Sequence, residues 1–204
     1  MMMPMPAARS LVLAPMRVEE RALRKGLPSA QVVRTGMGRE KSLRIAEDIR
    51  RRDFDVLVVA GVCGSLDSSF RAGHVIVPSA VSAHDVGSIA CTVDPALVQG
   101  LRDAGLTVHD GTLVCAEKLV TNKKAIEQHK GSGAIAVDME SAWLATAAGD
   151  RPVVVVRVAS DSPDQPLFHP GTLYWGAMSL RRLAKVGRVL ASWSPQTGDA
   201  ARPT

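Results

Sequence analysis

The chain has 204 residues, of which 46% are hydrophobic and 22% charged, ordinary values for one globular domain with a sizeable core. Only 3% are aromatic, so Val, Leu, Ile and Ala must fill that core, which favours alternating strands and helices over an aromatic-rich β-sandwich. The formal charge of +5 is spread over Lys and Arg interspersed with acids, as in Arg39-Glu40-Lys41, a pattern of solvated helix faces; with no aromatics interleaved for base stacking, it argues against a nucleic-acid partner.

Segment 10–14 reads as a first buried strand stopped by Pro15, and 19–25 as a short helix. Segment 31–34 is a second strand, broken by Thr35-Gly36-Met37-Gly38, and 39–52 has helical spacing with Leu43, Ile45, Ala46 and Ile49 as inward residues. The run 55–60 predicts a central strand buried on both faces, ending at a glycine turn, Gly61-Val62-Cys63-Gly64-Ser65. Strands follow at 74–77 and 80–81, a helix at 95–103 with Pro95 in its first turn, a strand region at 106–115 and a helix at 122–130. Segment 135–137 is a strand, 139–148 a helix, and 152–159 the clearest strand, with four consecutive valines from Val153. A long helix at 170–190 closes the domain. The expectation is a single three-layer α/β/α domain over residues 1–193 with a central mixed sheet, followed by a polar, disordered tail at 194–204.

Cys63, Cys91 and Cys115 form no CxxC pair, and an odd count argues against a disulfide framework. No secretory h-region and no membrane-length apolar run is present, so a cytoplasmic protein without an integral membrane segment is expected. No Cys/His cluster has metal-ligand spacing, and neither metal nor cofactor is required by any motif.

In folds of this class ligands sit beyond the carboxyl ends of the strands. There the chain offers Glu19 and Glu20, two glycine segments, the carboxylates of Asp138-Met139-Glu140-Ser141, and Ser160-Asp161. Several carboxylates on one rim suit acid/base work. Each also has a plainer explanation. Glycines after strands mostly make turns, Glu19 and Glu20 suit a solvent face, Glu140 suits the positive end of a helix, and Asp161 suits an N-cap.

In order along the chain, Thr35-Gly36-Met37-Gly38, Gly61-Val62-Cys63-Gly64-Ser65, Ala136-Val137-Asp138-Met139-Glu140-Ser141-Ala142 and Val155-Val156-Arg157-Val158-Ala159-Ser160-Asp161 resemble motifs of the nucleoside phosphorylase and nucleosidase superfamily, which includes methylthioadenosine/adenosylhomocysteine nucleosidase. The narrower resemblance, carried by Thr92-Val93-Asp94-Pro95-Ala96-Leu97 and the Asp138–Ala142 run, is to the hopanoid-associated phosphorylase/nucleosidase branch, linked to adenosylhopane. The resemblance implies that Asp161 is the acid at purine N7, that Glu19 activates water, and that Glu140 binds ribose hydroxyls with Met139 packed on the sugar. It also puts Ser160, Gly61, Val62, Leu119 and Val120 at the substrate.

Three positions depart from the family pattern. Val62 replaces a Ser or Thr, Val59 stands where hexameric phosphorylases carry a phosphate-binding Arg, and Leu119-Val120 falls where an aromatic stacks on the base. The missing Arg favours water as nucleophile, with Arg17 or Arg39 as possible replacements for a phosphate site. Hydrolysis of a purine nucleoside, most readily of adenine, is the leading reading. A phosphate-dependent phosphorylase and a non-catalytic nucleoside-binding protein are the alternatives. The resemblance further implies a homodimer or higher homo-oligomer.

Overall fold

The computed structural model describes residues 9–27, 31–161 and 172–195. The expected tail falls mostly on 196–204, outside the described residues. Ten strands form one mixed sheet. In chain order the elements are β1 (Ser10–Ala14), α1 (Arg17–Arg24), β2 (Gln31–Arg34), α2 (Arg39–Arg50), β3 (Val56–Ser65), β4 (Val75–Ile76), β5 (Ala80–Ala83) and β6 (Gly87–Ala90). They continue with α3 (Pro95–Asp103), β7 (Val108–His109), β8 (Thr112–Cys115), α4 (Lys123–Lys130), β9 (Ala134–Asp138), α5 (Ser141–Ala145) running into a 3₁₀ turn (Thr146–Ala148), β10 (Val153–Asp161) and α6 (Thr172–Ser192).

The sheet is covered on both faces because its central strands alternate two apolar sets. Leu11, Leu13, Leu57, Val59, Val153 and Val155 share one core with Ala46 and Ile49 of α2 and Ala142–Ala148. Val12, Ala14, Val58, Ala60, Val154 and Val156 share the other with Leu23 of α1, Leu97 and Leu101 of α3, and Leu183 and Val186 of α6. This is the expected α/β/α layering. No helix among the described residues is long and apolar enough to cross a membrane.

Two sequence expectations are corrected. The segment Gly61–Ser65 is not a turn: β3 runs straight through it, paired with β10 as far as Gly64 and with β9 at Gly64 and Ser65. Neither Gly61 nor Gly64 takes a positive φ. At Gly61 the missing side chain serves close packing instead. The region 106–115 is two strands, because Gly111 at φ 145° turns the chain between them. β7 pairs β4, whereas β8 lies between β5 and β9. The short strand β6, exposed along most of its length, has no apolar alternation to announce it.

One topological feature positions the site. β1, β2, β3 and β10 run parallel, β5, β8 and β9 run parallel, and the two sets meet antiparallel at Gly64↔Val137 and Ser65↔Ala136. The carboxyl ends of β3 and β9 therefore converge.

Candidate active site

A cleft of about 310 Å³ opens at that convergence. Its walls include Glu19, Val62, Leu119, Val120, Met139, Glu140, Ser160 and Asp161, which brings eight of the nine expected site residues together. Gly61 does not line it. It lies behind the wall, where a Cβ would sit 2.3 Å from Arg157 Nη1 and 2.5 Å from Glu19 Oε1. Gly61 is the register partner of Arg157, so its missing side chain is the space the guanidinium occupies.

Glu19 is third in α1, and its Oε2 accepts from the Met16 amide at 2.6 Å, satisfying a free donor of the helix start. Its Oε1 accepts from the Val62 amide at 2.7 Å. The side chain is buried, not solvent-facing. Burial raises its carboxyl above the ordinary range, opposed chiefly by the Arg157 charge.

Glu140 follows β9 and precedes α5, where its Oε1 accepts from the Gly38 amide at 3.0 Å. Gly38, at φ 86°, ends the Thr35–Gly38 turn, and the positive φ suits glycine. Burial first, and the Asp138 charge second, push Glu140 up to about 7. Asp161 ends β10. The register slips between Ala159 and Asp161, leaving Ser160 as the extra residue and bringing Asp161 opposite Gly64. Ser160 Oγ lies 2.7 Å from Asp161 Oδ1 and 3.2 Å from the Cys63 carbonyl. Burial raises the Asp161 carboxyl, with the Ser160 hydroxyl pulling the other way.

Beneath the cleft lies a fully buried arginine that the motif reading left without a role. Burial opposes the Arg157 charge, but Asp138, Glu140 and Glu19 more than reverse this and hold it charged. Its Nη2 pairs with Asp138 Oδ2 at 2.6 Å and its Nε donates to Ser141 Oγ at 3.0 Å. Asp138 also accepts from Ser141 Oγ at 2.6 Å and from the Cys115 thiol at 2.8 Å. One cation thus underlies three carboxylates contributed by α1 and β9 and the turn after it. A charged residue in the middle of the apolar run Val153–Ala159 was the available signal, since such a charge needs buried partners.

The remaining walls are Pro15, Met16, Met37, Cys63, Gly64, Val137 and Asp138, with Lys118 as the one cation among the described lining residues. Met37 and Leu119 are each about half exposed, 50% and 54%. Arg39 Nε bonds Asp85 at 2.6 Å and lies 3.6 Å from Glu117, and Arg39 does not line the cleft. Arg17 lines a separate outer groove with Arg21, Arg24 and Arg34. Val59 packs in the α2–α5 core. His84 lies 3.9 Å from Asp85 and is largely exposed.

A family model, the Phosphorylase superfamily, matches residues 29–188. No curated protein matches the chain. Among solved structures, the 5'-methylthioadenosine/S-adenosylhomocysteine nucleosidase of Neisseria meningitidis, in complex with methylthio-immucillin-A, is 18% identical with a TM-score of 0.75, covering 91% of this chain and 100% of that one. The S-adenosylhomocysteine nucleosidase of Streptococcus pyogenes is 22% identical, TM-score 0.71, over 92% and 99%. A 5'-methylthioadenosine/S-adenosylhomocysteine nucleosidase of Colwellia psychrerythraea, in complex with adenine, is 18% identical, TM-score 0.71, over 90% and 96%. These identities establish a shared fold, and the family match spans most of the sequence: the chain belongs to the phosphorylase superfamily.

Proposed function

We propose that this protein is an enzyme that cleaves the N-glycosidic bond of a purine nucleoside, adenine foremost, with water as the nucleophile. The observation that carries the reading is the gathering of Glu19, Glu140 and Asp161 around one cleft, each with its carboxyl raised by burial. Water adds to C1′, and the C1′–N9 electron pair leaves on the base. Asp161, whose carboxyl burial raises toward the protonated form, delivers its proton to N7, and Glu19 takes a proton from the water. Glu140 accepts from the ribose hydroxyls, and its charge faces the positive charge that develops on the sugar. Met139 packs on the ribose.

Water is favoured over phosphate because the cations near the site are committed elsewhere. Arg157 is paired with Asp138 below the floor, and Arg39 is held by Asp85. Lys118 is the only lining cation among the described residues, fewer than a phosphate dianion asks for. The apolar walls of Met16, Met37, Leu119, Val120 and Met139 support a bulky apolar 5′ substituent, such as that of adenosylhopane. The relatives named above are nucleosidases of 5′-methylthioadenosine and S-adenosylhomocysteine, one of them in complex with adenine, which fits this class. A homodimer or larger homo-oligomer in the cytoplasm completes the reading.

The test is adenine release from adenosines with varied 5′ groups, with and without phosphate. Release without phosphate, yielding free ribose, supports hydrolysis. Release only with phosphate, yielding ribose 1-phosphate, makes the protein a phosphorylase. Tight binding of all substrates with no release makes it a nucleoside-binding protein.

A further inference from the structure

β10 has a neighbour on each side: β3, which leads to the cleft, and β4, which leads away from it. Beyond β4 a second hollow of about 330 Å³ is bordered by Arg71, His74, Thr107, Tyr174, Trp175 and Arg182. None of these lines the catalytic cleft.

Its composition is unlike the rest of the molecule. The chain holds one Tyr, three Trp and three Phe, and the Tyr and one Trp border this hollow. Phe70 stacks on His109 at 3.8 Å between centroids, and His109 Nε2 lies 2.9 Å from His74 Nδ1. Tyr174, Trp175 and Phe70 thus lie at or beside this hollow. Tyr174 is 67% exposed, the most exposed of the large hydrophobic side chains described. An exposed ring beside a concave surface has a free face on which another ring can stack.

The charge is equally one-sided. Arg71 and Arg182 both act on His74, whose proton affinity is lowered by burial first and by its cationic neighbours after that. No carboxylate is among the described lining residues. Arg71 has no ion-pair partner among the described residues. Arg182 is engaged through Nη1 to the Gly105 carbonyl at 3.3 Å, and so is pinned in place with its other donors available. Two guanidinium groups without a carboxylate favour an anion with paired oxygens. The volume is within the range of small-molecule pockets.

We infer that this hollow is a second ligand site, separate from the catalytic cleft, for a planar aromatic anion of mononucleotide class. The ring lies against Tyr174 and Trp175, and the anionic oxygens lie between Arg71 and Arg182. The inference is independent of the reaction proposed for the cleft and is tested by binding alone.

The experiment is calorimetric titration of the full-length protein with 5′-AMP, adenosine and inorganic phosphate. AMP is expected to bind more tightly than phosphate, and Arg71→Ala and Tyr174→Ala are each expected to weaken AMP binding by about tenfold or more, the loss of one charge-assisted bond or one stacked ring. Both side chains project to the surface, so unchanged melting temperatures are expected. Glu140→Gln is expected to leave AMP affinity at this site unchanged. AMP affinity that falls with Glu140→Gln but not with Arg71→Ala would assign the nucleotide to the cleft and overturn the inference. Phosphate binding as tightly as AMP would overturn the aromatic half of it, as would indifference to Tyr174→Ala. No AMP binding at millimolar concentration would overturn it outright.

Discussion

The Val62 amide donates to Glu19 Oε1 at 2.7 Å across 43 positions of sequence. The bond is made by backbone, so the absence of the family's Ser or Thr hydroxyl at Val62 leaves it intact. With the Met16 amide on Oε2, both oxygens of Glu19 are fixed before any substrate arrives. In the proposed role of base, a carboxylate held this way loses little entropy on reaching its reactive geometry.

Asp161→Asn removes the proposed proton donor while keeping size and the neighbourhood of Ser160. Cleavage is expected to fall by about 10²- to 10⁴-fold, with the affinity for an uncleavable nucleoside analogue largely kept. Single-turnover kinetics beside equilibrium binding check both halves.

Glu140→Gln is expected to raise KM by about 10- to 100-fold, the worth of hydrogen bonds to a charged acceptor. It also has a signature in stability. Burial lifts the Glu140 carboxyl from its ordinary 4.5 to about 7, so between those values the folded chain holds a proton that the unfolded chain has released. The stability contributed by this group is full below pH 4.5 and is lost as pH rises through about 7. Urea titrations at several pH values should show that decline, and a shallower one in the Gln variant.

Gly61→Ala and Gly64→Ala separate two kinds of glycine. A Cβ at Gly61 meets Arg157 and Glu19 well inside contact distance, whereas at Gly64 its nearest neighbour is Asp161 Oδ2 at 3.4 Å, an ordinary contact. Gly61→Ala is expected to destabilise by about 1–3 kcal/mol and to lower kcat by displacing Glu19. Gly64→Ala is expected to leave stability nearly unchanged. Denaturant midpoints and kcat for the pair decide it.

Arg157→Leu strands Asp138 without its cation in a buried setting and is expected to cost about 3–5 kcal/mol. The double substitution Arg157→Leu with Asp138→Asn should recover part of that loss in the same denaturation assay.

Much of this was legible before the fold was known. β1 is an apolar run closed by Pro15, β10 opens on four consecutive valines, and α3 is marked by Pro95 in its first turn. Glu140 and Asp161 stood out as carboxylates at strand ends. The extension of β3 through Gly61–Ser65 was hidden because the need for a glycine at Gly61 arises from Glu19 and Arg157, remote in sequence. Lys118 and Met37 were equally hidden, since they reach the cleft on connecting segments that carry no periodicity. The buried state of Glu19 was missed because Arg17, Glu19, Glu20 and Arg21 look like one solvated face, and only the Val62 amide gives Glu19 a reason to turn inward.

The two parallel halves of the sheet are joined at β3–β9 by two residue pairs, Gly64↔Val137 and Ser65↔Ala136. Glu140 belongs to one half, and Glu19 and Asp161 to the other. The spacing between the proposed sugar anchor and the proposed proton donor is therefore a shear coordinate of the sheet, and the Arg157–Asp138 pair is a bolt across the joint. Hydrogen exchange at the amides of this seam would report catalytic alignment directly: a protein whose seam exchanges early would lose turnover before it loses its fold.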